Sequence, residues 1–295
     1  MPRLPAMSRQ LGFPQVAPVR NLPPCRTVEL PGRGKTYVAD SGPVTDAPTF
    51  LLLHSVACTG LMTWYPALEM MRGYGRVIVF DQRWHGHGIH SPGFALEACA
   101  DDVAALADAL GVSRFVAVGY SMGSLVAQLV WRRHRQLVDG LVLCAGAATF
   151  ARARLEQVAM RLFAAAIEGL SPRPGLPTVP PTAVGTRVRY DREWLWDQFR
   201  STSPVAVAGA VAECAKFDSR SWISEVDVPT SVVITLRDWV ISAERQQRLA
   251  GRIPHAHVVA VDAGHASCTL QADRFVPALE EAVDAVCQLI SPPPT

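Results

Sequence analysis

A chain of 295 residues, 49% hydrophobic and 18% charged, can bury one large core or two small ones. Its 28 Lys and Arg against 26 Asp and Glu leave a net charge of +2, which excludes a global electrostatic drive toward nucleic acid or acidic surfaces. The seven cysteines (Cys25, Cys58, Cys99, Cys144, Cys214, Cys268 and Cys287) are odd in number and lack Cys-x-x-Cys spacing, so they read as free thiols of a reducing, cytoplasmic compartment.

No long apolar run predicts stable membrane insertion, and prolines interrupt the N-terminus too early for a secretory signal. Residues 1–26 are expected to form an irregular, proline-rich arm. Residues 27–30 and 35–39 flank Pro31-Gly32-Arg33-Gly34 and predict a β-hairpin. Residues 49–53 are continuously apolar, as in a strand buried on both faces, and run into His54-Ser55-Val56-Ala57. Residues 77–80 form the next strand and lead into Asp81-Gln82-Arg83-Trp84-His85-Gly86-His87. Apolar residues at helical spacing over 97–110 end at Gly111, a helix-terminating glycine.

The run Phe115-Val116-Ala117-Val118 then enters Gly119-Tyr120-Ser121-Met122-Gly123, and a helix-forming stretch follows over 125–131. Strand, sharp turn and helix place a serine at the apex, with small residues where side chains would clash. Beyond a strand over 141–144 the alternation breaks. Residues 147–224 hold an amphipathic helix over 151–168, five prolines between 171 and 181, an aromatic stretch over 192–199 and a small-residue helix over 204–215. Alternation resumes with strands at 231–236 and 258–261, a polar helix over 244–252 and a last helix over 275–289. Asp238 follows the first of these strands; Asp262 and His265 follow the second.

The strand-turn-helix around Ser121 resembles the nucleophile elbow of the α/β-hydrolase family, and the resemblance covers nearly all of residues 27–290. It implies a mostly parallel sheet flanked by helices, with residues 27–146 and 225–295 as the core and 147–224 as an inserted helical cap. The family's order of nucleophile, acid and histidine falls on Ser121, Asp238 and His265, each at a strand end. Asp262, on the same turn as His265, is the rival acid. By position, Val56 and Met122 would donate the backbone N–H groups of an oxyanion hole, with Ser55 standing where the family's turn carries glycine. No cofactor is implied. His85, His87 and His90 resemble the spacing of a zinc run, but Ile89 stands where that pattern has an aspartate, so no metal is expected.

Trp64, Trp194 and Trp196 are candidate substrate contacts. For Trp194 and Trp196 two roles are open, lining an acyl pocket or anchoring the cap. The basic cluster Trp131-Arg132-Arg133-His134-Arg135 reads as a helix C-terminus offsetting the macrodipole. The expected activity is serine hydrolysis of a carboxylic ester of a small aliphatic or aromatic molecule. The alternatives on the same residues are a C–C bond hydrolase, a perhydrolase or haloperoxidase, a thioesterase, a lactonase, or a receptor that binds a ligand without turnover. The cap is expected to set substrate choice and to add little to the chemical step.

Overall fold

The computed structural model describes residues 16–150 and 191–290. The expected helix over 151–168 and the proline run over 171–181 lie outside them. The hairpin pairs β1 (Cys25–Leu30) with β2 (Gly34–Asp40), so the irregular arm ends two residues earlier than expected. The next strands are β3 (Thr49–Leu53), β4 (Arg76–Phe80), β5 (Phe115–Tyr120), β6 (Val138–Cys144), β7 (Thr230–Thr235) and β8 (His257–Val261). They form one eight-stranded sheet in the order β1-β2-β4-β3-β5-β6-β7-β8. β1 and β2 are antiparallel to their neighbours, and the other six strands are mutually parallel.

The unbroken apolar runs of β3 and β5 follow from burial on both faces. Leu51 and Leu53 of β3 pack toward α3 (Leu96–Ala109) and α4 (Met122–Arg133), while Phe50 and Leu52 face the opposite layer. That second layer holds α1 (Gly60–Trp64), α2 (Leu68–Arg72) and α9 (Ala272–Cys287). The short helices α1 and α2 have no periodic signature five residues long; their burial against β4 decides them. Between β6 and β7 stand α5 (Asp191–Arg200) and α6 (Pro204–Cys214). α5 sends Trp194 and Leu195 into one apolar layer, and α6 sends Ala210 and Cys214 into the other. α7 (Ala243–Ala250) and α8 (Ser267–Leu270) complete the set. Among the described residues, no helix is long and apolar enough to cross a membrane.

A buried carboxylate joins three distant segments. Asp102 on α3 accepts from Arg83 Nε and Nη2 at 2.6 and 2.8 Å and from Arg33 Nε at 2.5 Å. Arg33 sits in the β1–β2 turn and Arg83 in the β4–α3 loop, so one charge holds hairpin, loop and helix together. Removing it strands the buried Arg83 guanidinium without its partner. Asp102→Ala should lower unfolding free energy by about 3–5 kcal/mol, measured by urea denaturation; a loss below about 1 kcal/mol would mean that the pair is no stronger than a surface bridge.

Candidate active site

The C-terminal ends of β5, β7 and β8 meet at one edge of the sheet, each carrying one polar side chain. At the end of β5 the chain turns without a loop. Ser121 is held at φ 54°, ψ −114°, a region a side chain rarely adopts, and α4 begins at the next residue. Its N–H still pairs with Cys144 O at 2.9 Å, extending the ladder to β6 by one rung. The close approach demands both glycines: a Cβ on Gly119 would lie 2.2 Å from Gly123 O, and one on Gly123 would lie 2.0 Å from Leu53 O.

Ser121 Oγ lies 2.9 Å from His265 Nε2, and His265 Nδ1 lies 2.6 Å from Asp238 Oδ2. The ionised carboxylate only accepts, so Nδ1 carries the ring proton, and Nε2 accepts from the serine hydroxyl. Asp238 is buried beside β7, and its oxygens are well supplied with donors. Oδ1 accepts the N–H groups of Val240 and Ile241, both at 2.8 Å. Oδ2 also accepts from Thr235 Oγ1 at 2.8 Å and Gln246 Nε2 at 3.2 Å. Burial is the largest influence on this carboxyl and opposes its charge, but the bonds from His265, Ile241 and Thr235 and the histidine's charge outweigh it, and its pKa lies below the ordinary value.

The rival acid is engaged elsewhere. Asp262 pairs with Arg237 and Arg274 at the surface and makes no bond to His265. The structure therefore places Asp238, not Asp262, against the imidazole. Tyr120, the residue before the serine, donates its hydroxyl to His265 O at 2.7 Å and lies 3.0 Å from Ser267 Oγ, which ties the two loops together.

The two expected oxyanion donors have free backbone N–H groups: neither Val56 nor Met122 donates to a described residue. Met122 opens α4, where the helix leaves its first N–H groups without internal acceptors. Next to Val56, His54 Nε2 accepts Gln82 N–H at 2.8 Å, so Nδ1 is protonated and donates to Ser55 O at 2.8 Å. Burial keeps the pKa of this ring below the usual histidine value, so the ring stays neutral.

Trp64 departs from its expected role as a substrate contact. It is fully buried, edge-on to Tyr120 with ring centroids 6.3 Å apart, because α1 turns it into the core rather than toward the sheet edge. Trp194 is 7% exposed and packs edge-on against Tyr65, whereas Trp196 is 57% exposed beside Phe199 and Arg200. The helical spacing thus splits the pair, with Trp194 as an anchor of α5 and Trp196 toward solvent. The histidine run does not converge either. His85 is buried with Nδ1 on Arg83 O and a pKa pushed down to about 3, chiefly by burial, while His90 is exposed. Among the described residues, no three His, Cys, Asp or Glu side chains form a metal-binding group.

Thr235, Gln246 and Tyr120 were not anticipated from sequence. Each is an ordinary strand or helix residue until the fold brings it to Asp238 or His265. His54 was visible only as part of the turn after β3.

A parallel sheet with a serine elbow after β5, an acid after β7 and a histidine after β8 defines an α/β hydrolase. The chain has the alpha/beta hydrolase fold, and the family model described by that fold matches its residues 48–173. It is 24% identical over 245 residues to a putative carbamate hydrolase, RutD, of Agrobacterium fabrum, covering 78% of this chain and 90% of that protein. It is 22% identical to 3-oxoadipate enol-lactonase 1 of Acinetobacter baylyi, covering 83% of this chain and 91% of the other. A thermophilic esterase from Thermogutta terrifontis superposes with a TM-score of 0.71 at 26% identity, over 90% of this chain and 99% of that one.

Because the carboxyl pKa of Asp238 is lower folded than unfolded, its contribution to stability is present above the unfolded value of about 3.9 and is lost as pH falls through the folded value. Asp238→Asn removes that contribution. Urea unfolding followed from about pH 6 to about pH 3 should show a shallower loss of stability in Asp238→Asn than in the wild type. Equal slopes would mean that these hydrogen bonds do not stabilise the ionised form.

Proposed function

We propose that this α/β hydrolase is a serine hydrolase that cleaves a carboxylic ester of a small apolar molecule through an acyl-enzyme. The observation that carries this reading is the continuous chain Ser121 Oγ, His265, Asp238 at 2.9 and 2.6 Å, at the ends of β5, β8 and β7. In this reading Ser121 Oγ attacks the substrate carbonyl carbon while its proton passes to His265 Nε2. Asp238 holds the ring in the Nδ1–H tautomer and stabilises the imidazolium. The carbonyl oxygen becomes an oxyanion and accepts from Val56 and Met122 N–H, aided by the N-terminus of α4. His265 then gives the proton to the leaving alkoxide. A water, deprotonated by the same nitrogen, attacks the acyl-enzyme and releases the acid.

The relatives named as a carbamate hydrolase and an enol-lactonase support a wider substrate set, since carbamates and lactones also react by attack at a carbonyl carbon. No step of this reading requires a cofactor.

A panel of p-nitrophenyl esters of graded acyl length, run beside a lactone, a carbamate and a vinylogous diketone, should show the fastest turnover on esters or lactones. Preference for the diketone would make the chain a C–C bond hydrolase, and ligand binding without turnover would make it a receptor. A fluorophosphonate should label the wild type and not Ser121→Ala; labelling unchanged in that variant ends the assignment. Asp238→Asn should lower kcat by about three to four orders of magnitude, and Asp262→Asn by less than about threefold.

A further inference from the structure

The segment that carries Val56 is a turn under backbone strain. Cys58 N–H closes it on Ser55 O at 3.4 Å, and Ala57, which has a side chain, sits at φ 64°. A turn of this kind persists where both ends are held. The upstream end is held by His54 Nδ1–H on Ser55 O. The Ser55–Val56 peptide is planar and trans, so fixing the carbonyl on one side fixes the Val56 N–H on the other.

The downstream end is held from two sides: within the core Gly60 N–H donates to Asp81 Oδ1 at 2.8 Å, and Thr59 is held from outside it. Thr59 is buried, and its Oγ1 accepts Met62 N–H at 3.1 Å, capping α1. That leaves the hydroxyl proton for Gln198 Oε1, 2.6 Å away on α5. Other contacts seat the same helices on the sheet edge. Thr202 Oγ1 accepts Gly86 N–H at 3.0 Å, Trp194 packs on Tyr65, and the Trp84 ring lies against Gly209 of α6. Of these, the Thr59–Gln198 bond is the one that reaches the strained turn.

We propose that Gln198 is a positioning residue for the reaction: by anchoring Thr59 it holds the turn that aims the Val56 N–H, so the seating of α5 sets the quality of the oxyanion hole. This rests on the reading of Val56 as an oxyanion donor. It revises the expectation that residues 147–224 add little to the chemical step, because a side chain of that segment acts on the transition state through the backbone of the core.

The test compares Gln198→Leu, which keeps the size and loses the acceptor, with Gln198→Glu, which keeps an acceptor oxygen. Each is assayed on a p-nitrophenyl ester and on the matching thionoester, with active sites counted by the endpoint of fluorophosphonate labelling. Sulfur is larger and a weaker acceptor than oxygen, so an oxyanion hole favours the ester. Full loss of one donor costs about 10²–10³ in kcat, and a mis-aimed donor should cost less. Gln198→Leu should therefore lower ester kcat about tenfold with KM changed less than about twofold, and should narrow the ester-to-thionoester ratio by about threefold or more. Gln198→Glu should stay within about twofold of wild type on both measures. If Gln198→Leu does not fold, Gln198→Met, which is unbranched and also lacks the amide acceptor, takes its place in the same comparison, and Thr59 keeps its cap on α1.

Wild-type ester kcat and ratio in Gln198→Leu, or an equal loss on both substrates, would overturn the proposal while leaving the ester reading intact. Full activity in Ser121→Ala would instead remove the reading of an acyl-enzyme on Ser121, whatever Gln198 does.

Discussion

The backbone of three elements passes through one point at the centre of the sheet. Gly123 on α4 lies against the carbonyl of Leu53 at the end of β3, and Gly119 on β5 lies against the carbonyl of Gly123. No side chain fits at either place. This contact lets α4 start directly after β5, forces Ser121 to φ 54°, and lifts its hydroxyl clear of the strand. It also brings the end of β3, and so the His54 turn, beside the start of α4. The two N–H groups proposed to bind an oxyanion are neighbours of this one contact. Strain at the serine is sustained by the packing of fully buried strands on either side.

The polar side chains of the site are held by donors and acceptors from elements far apart in sequence. Asp238 receives five hydrogen bonds, from the turn after β7, from β7 itself, from α7 and from His265. A buried carboxylate without such partners would be driven toward protonation; here the donors outweigh desolvation and keep it charged. Tyr120 adds a link of another kind, since one residue supplies both the backbone before Ser121 and the hydroxyl that fixes His265 O. Serine and histidine are thus placed relative to each other by covalent neighbours as well as by their own bond.

The insertion between β6 and β7 is bound to the same edge. α5 and α6 bury apolar residues in opposite layers, so they rest on the core on both sides of the sheet. Gln198 of α5 and Thr202 between the helices bond the loops after β3 and β4, and Asp191 of α5 accepts Val19 N–H.

Much of the core was legible in the sequence. Strands buried on both faces appear as unbroken apolar runs, helices as a 3.6-residue period, and the elbow as a spacing of glycines around Ser121, because each of these depends on neighbours within a few residues. The order Ser121, Asp238, His265 was likewise readable, since each follows a recognisable strand. Sequence also left two acids open, because Asp238 and Asp262 both follow strands. Packing separates the two side chains: the turn after β7 directs Asp238 inward against His265, while Asp262 finds Arg237 and Arg274 at the surface. Trp64 had the composition of a ligand contact, but the direction of α1 made it core. The pairing of Thr59 with Gln198, 139 residues apart, has no local signature at all. Local periodicity determines which segments become strands and helices; which side chains meet at the ends of those elements depends on directions and distances that exist only once the sheet has closed around its core.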